Sequence, residues 1–107
     1  MKEGQKKQFI KLADKIQERI FQNKKKKGFN TDDVPFEFGL TSEELSEAFE
    51  AWRKGKNDLP EELADTVIYL FGLASILDID LGKAIVEKME KNENREYEEI
   101  SNTFHKK

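Results

Sequence analysis

The chain of 107 residues carries a formal net charge of −3, with 38% charged and 36% hydrophobic residues, and it has no cysteine. This length suits one domain with a modest core, and the charge argues against general binding to nucleic acid or to an anionic membrane. The lack of cysteine excludes disulfides, zinc-thiolate sites and thiol nucleophiles. Because the hydrophobic share is small, we expect the chain to complete its burial by pairing with a copy of itself.

The N-terminal segment does not resemble a targeting signal. MKEGQKKQFIKLADK lacks the continuous apolar core of a signal peptide, and no run in the chain approaches the roughly 20 apolar residues of a membrane span. We therefore expect a cytoplasmic location.

The first predicted helix covers about residues 5–27. Its apolar residues recur at helical spacing, opposite a charged face, at Phe9, Leu12, Ala13, Ile16 and Ile20. The four lysines of residues 24–27 are followed by Gly28, which is typical of a helix end, because cations suit the C-terminus and glycine suits the left-handed residue beyond it. We expect these lysines to be solvated.

The second segment allows two interpretations. A single helix over about residues 31–54 has one continuous apolar side, formed by Val34, Phe38, Thr41, Leu45, Ala48, Phe49 and Trp52. Alternatively, Phe36, Phe38 and Leu40 alternate like a short strand, and Thr41 with Glu44 has the spacing of a capping box that would start a shorter helix. We prefer the single helix because its apolar side is unbroken.

The stretch from Asp58 to Leu77 organises the chain. From Ala64 onward it is apolar around its whole circumference, which is typical of a helix inside a bundle or an oligomer. Asp58 and Glu61 have the spacing of a capping box at its start. Asp65 interrupts the apolar run, and an unpaired buried carboxylate costs several kcal/mol. We therefore expect Asp65 to have a partner.

Two acidic pairs predict a metal site. Glu44 and Glu47 share one face of the second helix, and Glu62 and Asp65 repeat the same spacing of three on the third helix. If the two helices pack antiparallel with axes roughly 8–10 Å apart, the four carboxylates converge. Two like charges 4 Å apart repel by roughly 4 kcal/mol at an intermediate dielectric. A hard divalent cation at this place would remove that repulsion.

A fourth predicted helix begins at about Asp80. Near its end, Lys88, Lys91, Asn92 and Arg95 share one face if the helix continues. These groups either complement the dipole of the helix C-terminus or bind an anionic ligand such as phosphate, and the sequence leaves both interpretations open. With four helices, we expect an all-α, four-helix bundle-like protomer that forms one domain over residues 1–107, ending in a frayed tail at residues 98–107.

The acidic motifs resemble those of the MazG-like, all-α nucleoside triphosphate pyrophosphohydrolases. Glu43-Glu44-Leu-Ser-Glu47 is similar to the EExxE motif of that family, and Glu62-Leu-Ala-Asp65, after a gap of fourteen residues, is similar to its ExxD motif. The late segment over residues 88–97 resembles the family's phosphate-contacting segment. The resemblance covers about residues 28–97.

The resemblance implies hydrolysis of an NTP or dNTP between its α and β phosphates, which clears surplus or noncanonical nucleotides. It implies that Mg²⁺ is held by Glu44, Glu47, Glu62 and Asp65, with Mn²⁺ as an acceptable substitute. It also implies that Glu43 or Glu47 orients or deprotonates the attacking water. Substrate binding would fall to Lys88, Asn92, Arg95 and Tyr97, with Lys54 as a further candidate.

The resemblance also implies a homodimer or a dimer of dimers, with the site at or near the subunit contact. Two other functions fit the same motifs. Phosphoribosyl-ATP pyrophosphatase has similar acidic motifs, and a non-catalytic helical dimer that binds nucleotide or protein has a similar architecture. The His-Gly pair that often follows the late tyrosine in the family is replaced here by Glu98-Glu99, and no residue identifies the preferred base.

Overall fold

The computed structural model describes residues 1–102, with the backbone alone for residues 96–102. In this part of the chain there are four α-helices, which are α1 (Glu3–Lys26), α2 (Val34–Arg53), α3 (Leu59–Ile76) and α4 (Leu81–Asn102). The predicted all-α class is confirmed. Within the same residues, no helix has both the length and the apolar content to span a bilayer.

The single second helix is confirmed, and the strand over residues 36–40 is wrong. Asp33 precedes α2 in extended conformation and its side chain accepts a hydrogen bond from the backbone N–H of Phe36. This cap, together with Pro35 in the first turn, starts the helix well before Thr41. The helix then continues without a break through Gly39.

The end of α1 has the predicted glycine but not four solvated lysines. Gly28 adopts a φ of +73°, as expected for a residue that follows a helix end. Lys24, however, is buried, and its Nζ lies 2.8 Å from Oε2 of the fully buried Glu37. Gly72 on α3 makes room for it, since a Cβ there would stand 3.3 Å from the Lys24 side chain. The prediction of a solvated end is therefore wrong for Lys24.

Helices α2 and α3 pack antiparallel through their smaller side chains. A Cβ at Gly72 would lie 3.7 Å from Oε2 of Glu37, while Glu44 and Glu47, further along α2, face Glu62 near the start of α3. The side of α2 turned to the protein interior is covered at a spacing of three and four by Glu37, Thr41, Glu44, Ala48 and Ala51. Three of these residues, Thr41, Ala48 and Ala51, are small and allow the two helices to approach closely.

The predicted apolar side of α2 is buried only in part, since Thr41 and Ala48 face the interior while its large residues do not. The outer apolar row of α2, which we define as Phe38, Leu45, Phe49 and Trp52, is 52–65% exposed in the single chain. On α3, Val67 and Ile68 are also 49% and 44% exposed. These bulky side chains stay outside because the small residues already form the contact between the helices. The N-terminal half of α3 is therefore only partly covered in the single chain.

Helix α4 packs against α1, and α1 lies between α3 and α4. The Gln17 side chain joins the three helices, since its Nε2 donates to Ser75 Oγ at 3.2 Å and to the Ile79 carbonyl at 2.8 Å, and its Oε1 accepts from the Leu81 N–H at 3.2 Å. Further along, Glu90 forms an ion pair with Lys6. Among the described residues, the main packing contacts are those of α2 with α3, α1 with α3 and α1 with α4.

Candidate active site

Three glutamates from two helices converge where α2 and α3 pack together. Glu44 and Glu47 of α2 and Glu62 of α3 each offer a carboxylate oxygen, and these oxygens all lie within 4.8 Å of one another. Glu44 and Glu62 are half-buried, whereas Glu47 is exposed. The antiparallel pairing brings the acidic pair of α2 to the first turn of α3. We call these three residues the glutamate cluster.

The glutamate cluster carries uncompensated negative charge. Burial raises the pKa of Glu44, and the charges of Glu47, Asp65 and Glu62 raise it further. The pKa of Glu62 is also raised, first by burial and then by the charges of Asp58 and Glu47. In the part of the chain with described side chains, no ion pair joins the cluster to a lysine or an arginine. A bound cation would relieve this repulsion.

The donor atoms fit a hard divalent cation. The cluster offers only carboxylate oxygens, which are the ligands that Mg²⁺ takes in proteins, together with waters and phosphate oxygens. Glu62 Oε1 is buried and has no hydrogen-bond partner in the described part of the chain. Because such an atom is expensive to leave unpaired, a cation beside it would supply the missing partner.

Asp65 lies beside the glutamate cluster but outside it. The negative charge of the Asp65 carboxylate contributes to the raised pKa of both Glu44 and Glu62. The expectation that Asp65 is buried in the apolar run is wrong, because its side chain is exposed in the single chain. Helix α3 is only partly covered at this point. Its role as a fourth cation ligand stays a prediction.

The other two candidate residues of α2 also lie outside the cluster. Glu43 is exposed, and its charge makes the smallest contribution to the raised pKa of Glu44. Lys54 caps the end of α2, where its Nζ lies 3.8 Å from Oε1 of Glu50. The structure therefore does not bring Lys54 into contact with the three glutamates.

The predicted phosphate-binding residues of α4 are not brought to the glutamate cluster of the same chain. Lys88, Asn92 and Arg95 are exposed on a helix whose packing partner is α1, whereas the cluster belongs to α2 and α3. The fourth of these residues, Tyr97, has a side chain outside the described residues.

Asp58 contributes to the cluster in a way that sequence reasoning missed. The predicted capping box with Glu61 is wrong, because the Asp58 side chain makes no capping hydrogen bond. Its Oδ1 is instead buried without a hydrogen-bond partner among the described residues, and its charge is the second cause of the raised pKa of Glu62. The spacing of four between Asp58 and Glu62 could have indicated this, because residues four apart are neighbours on a helix.

Tyr69 was also missed, and it connects the glutamate cluster to a cavity. The cavity has a volume of about 990 Å³, lies between α1 and α3, and is lined among others by Lys24, Phe29, Glu37 and Tyr69. Burial raises the pKa of the Tyr69 hydroxyl, and the charge of Glu44 is the next cause. Tyr69 follows Asp65 by four residues, which was the available signal.

Comparison with known proteins places these residues in a family. The model of the MazG nucleotide pyrophosphohydrolase domain matches residues 39–98. The dCTP pyrophosphatase 1 of Rattus norvegicus is 43% identical over 47 residues, which cover 43% of this chain and 28% of the rat protein. The match therefore spans less than a third of that relative's length. No solved structure gave a significant match.

Proposed function

The chain belongs to the MazG nucleotide pyrophosphohydrolase family, and we propose that it hydrolyses nucleoside triphosphates, NTP or dNTP, to the monophosphate and pyrophosphate with the help of Mg²⁺. The observation that carries the proposal is the glutamate cluster, whose oxygens lie within 4.8 Å of one another without a compensating cation. Such a group of oxygens suits Mg²⁺, and we expect Mn²⁺ to substitute for it.

In the proposed reaction, Glu44, Glu47 and Glu62 would hold the cation, and Asp65 would complete the set. A bound Mg²⁺ supplies positive charge that stabilises the phosphoryl group and the leaving pyrophosphate in the transition state. One water is consumed when the bond between the α and β phosphates breaks. Glu43 or Glu47 would accept the proton of that water, since both are exposed carboxylates on the helix that carries Glu44.

The cavity beside Tyr69 is our candidate binding site for the nucleoside part of the substrate. Its lining includes Phe29 and Tyr69, whose rings can pack against a flat base, and also Lys24. Since the charge of Glu44 contributes to the raised pKa of the Tyr69 hydroxyl, we expect a nucleotide bound in the cavity to extend toward the cluster. We expect the base preference to depend on residues of this cavity.

We also infer that the chain acts as a homodimer or a dimer of dimers. Large apolar side chains are exposed on α1, α2 and α3 of the single chain, and Trp52 is 65% exposed. Many large apolar side chains exposed on one small protomer are typical of a protein interaction surface. A second copy of the chain would cover it, in accord with the modest core of a single protomer.

Thermal melting with Mg²⁺ tests the cluster directly. Mg²⁺ at about 100 times its Kd should stabilise the protein by about 2.7 kcal/mol, because it binds the native state. Glu62→Gln should abolish the rise in Tm that Mg²⁺ causes, and it should lower the hydrolysis rate by about 100-fold or more. The matched control is Glu61→Gln, an exposed neighbour that lies outside the cluster. Equal responses of both variants would contradict the proposed metal site.

A substrate panel separates the proposed activity from its alternatives. The panel contains the ribo- and deoxyribonucleoside triphosphates, including dCTP, and phosphoribosyl-ATP, each with Mg²⁺ and with Mn²⁺. Release of pyrophosphate from the triphosphates supports the proposal, whereas turnover of phosphoribosyl-ATP alone would assign the second activity. Binding of nucleotide without turnover would indicate a non-catalytic dimer.

A further inference from the structure

The buried ion pair of Lys24 and Glu37 borders the cavity between α1 and α3. Lys24 lines this cavity together with Tyr69 and Gly72. Its Nζ lies 2.8 Å from Oε2 of Glu37 and 5.7 Å from the centroid of the Tyr69 ring. A buried ion pair adds little stability compared with an apolar pair of similar size. Stability alone therefore does not explain why two charges lie beside the cavity.

The Glu37 carboxylate is enclosed by the protein and holds the lysine in place. Although Glu37 borders the cavity, its side chain is 0% exposed. Its Oε1 accepts a hydrogen bond from Asn30 Nδ2 at 3.1 Å. Apart from the ion pair with Lys24, its Oε2 has no hydrogen-bond partner among the described residues. A ligand in the cavity therefore meets the lysine ammonium and not the carboxylate.

The Lys24 ammonium has hydrogen-bond donors left for a ligand. An ammonium carries three N–H donors and no acceptor. The ion pair with Glu37 and the contact with the Tyr69 ring are its polar contacts within the described part of the chain. Because one N–H suffices for Glu37, the others are available to a group in the cavity.

A group that only donates hydrogen bonds distinguishes between two kinds of nucleobase. A carbonyl oxygen accepts from it, whereas an amino group facing it leaves two donors without an acceptor. Cytosine, uracil, thymine and guanine each carry a carbonyl oxygen, and adenine carries an amino group instead. The rings of Phe29 and Tyr69 pack against the flat face that every base has, so they do not supply this distinction.

We propose that Lys24 determines the base specificity of the cavity: its ammonium, held by Glu37, donates a hydrogen bond to a carbonyl oxygen of the base and thereby disfavours adenine. This inference rests on the proposed function, which supplies the nucleotide and its place in the cavity. The other cations of the cavity lining, Arg19, Lys25 and Lys26, are exposed. Water competes for their hydrogen bonds, whereas the buried position of Lys24 strengthens the hydrogen bond that it donates.

Inosine triphosphate and ATP form a matched substrate pair, because hypoxanthine carries a carbonyl oxygen where adenine carries its amino group. We expect the wild type to have a kcat/KM for inosine triphosphate at least about tenfold higher than for ATP. The double variant Lys24→Met with Glu37→Leu removes both charges together, so neither is left buried without its partner. In this variant the two kcat/KM values should agree within about twofold. A purely structural role of the pair would lower both values and leave their ratio unchanged.

Two further variants separate the role of Lys24 from general effects. Lys27→Met is the matched control and should keep the wild-type ratio, because Lys27 is an exposed lysine of the same run outside the cavity lining. Gly72→Ala keeps both charges, but its Cβ would stand 3.3 Å from Cδ and Cε of Lys24. It should lower the ratio by displacing the ammonium, and it provides the test if the double variant does not fold. The rise of Tm with Mg²⁺ should persist in all three, because the glutamate cluster is intact.

Equal kcat/KM values for the two substrates in the wild type, or a preference for ATP, would overturn the inference. An unchanged ratio in the folded double variant, or in Gly72→Ala if the double variant does not fold, would overturn it as well. If the wild type hydrolyses no triphosphate, the proposed function fails, and calorimetry with the monophosphates IMP and AMP then tests the inference without hydrolysis. IMP should bind the wild type at least about tenfold more tightly than AMP, and equal affinities or no binding of either would contradict the role of Lys24.

Discussion

At the scale of single residues, the buried pair of Lys24 and Glu37 is the most unusual feature of this chain. The two side chains are 9% and 0% exposed, and the pair links the end of α1 to the start of α2 above Gly72. Glu37 Oε1 also accepts a hydrogen bond from Asn30 at 3.1 Å. A buried ion pair adds little net stability, because both charges lose their hydration. Removal of one partner is nevertheless strongly destabilising, because the other charge stays buried without compensation.

We expect Lys24→Met to lower the free energy of unfolding by about 3–5 kcal/mol, because it leaves the Glu37 carboxylate buried without its cation. The double variant Lys24→Met with Glu37→Leu should recover most of this loss. Urea denaturation measures both, and Lys26→Met, an exposed lysine of the same run, is the control. A loss for Lys24→Met no larger than that of the control would show that the pair is not buried in solution.

A second residue-scale prediction concerns pH. A hydrogen bond with Asp80 raises the pKa of Asp14 above its usual 3.8, with burial as the next cause. The folded state therefore binds more protons than the unfolded state just above this value. The stability from this pair is present at low pH and is lost as pH rises through the raised pKa of Asp14.

Asp80→Asn should therefore raise the Tm at pH 7 by about 2–4 °C, the scale of an exposed charge pair. In the wild type, Asp80 Oδ1 accepts a hydrogen bond from the Lys83 N–H at 3.1 Å. The amide oxygen of the variant can still accept this hydrogen bond. Melting curves of variant and wild type should converge once the pH falls below 3.8. Glu87→Gln, at an exposed acid of α4, is the control, and a rise of equal size there would contradict the assignment.

At the scale of helices, close packing of α4 on α1 depends on Gly82. Gly82→Ala would improve helix propensity, but its Cβ would stand 2.6 Å from the Ala13 Cβ and 3.7 Å from the Ile10 backbone. We expect a loss of about 1–3 kcal/mol in urea denaturation, because one helix must move. Gly39→Ala is the matched control, since no atom lies within 4 Å of its Cβ. It should stabilise the protein by about 0.5–1 kcal/mol, and a similar gain for Gly82→Ala would contradict the close contact.

At the scale of the whole molecule, the outer apolar row of α2 is a large exposed surface. Phe49 and Trp52 lie beside each other there, with ring centroids 6.0 Å apart. We expect light scattering to give a dimer or a larger assembly for the wild type and a smaller species for Trp52→Glu, because a buried charge opposes the contact. Ser46 is exposed on the same helix, and we expect Ser46→Glu to leave the mass of the assembly unchanged.

The sequence by itself determined the four helices and the spacing of the acidic residues. Helical periodicity and Gly28 after α1 are local signals, so they can be read without knowing which helices pack together. The start of α2 was placed about three residues too early, because several residues before it could serve as the cap and the structure uses Asp33. The spacing of three placed Glu44 and Glu47 on one face of α2, and their approach to Glu62 was expected only on the condition that α2 and α3 pack antiparallel, as they do in the structure.

Only the tertiary structure decided which sides of the helices touch. Periodicity shows that α2 has an apolar side, but not whether that side meets the same chain or another copy. Small residues at the α2 contact turned Trp52 outward and left Asp65 exposed, while the gap at Gly72 admitted Lys24 to the interior. The direction of α4 likewise depends on its contacts with α1, which join residues more than sixty positions apart in sequence. Such contacts form only when all helices are packed together, so no local pattern in the sequence encodes them.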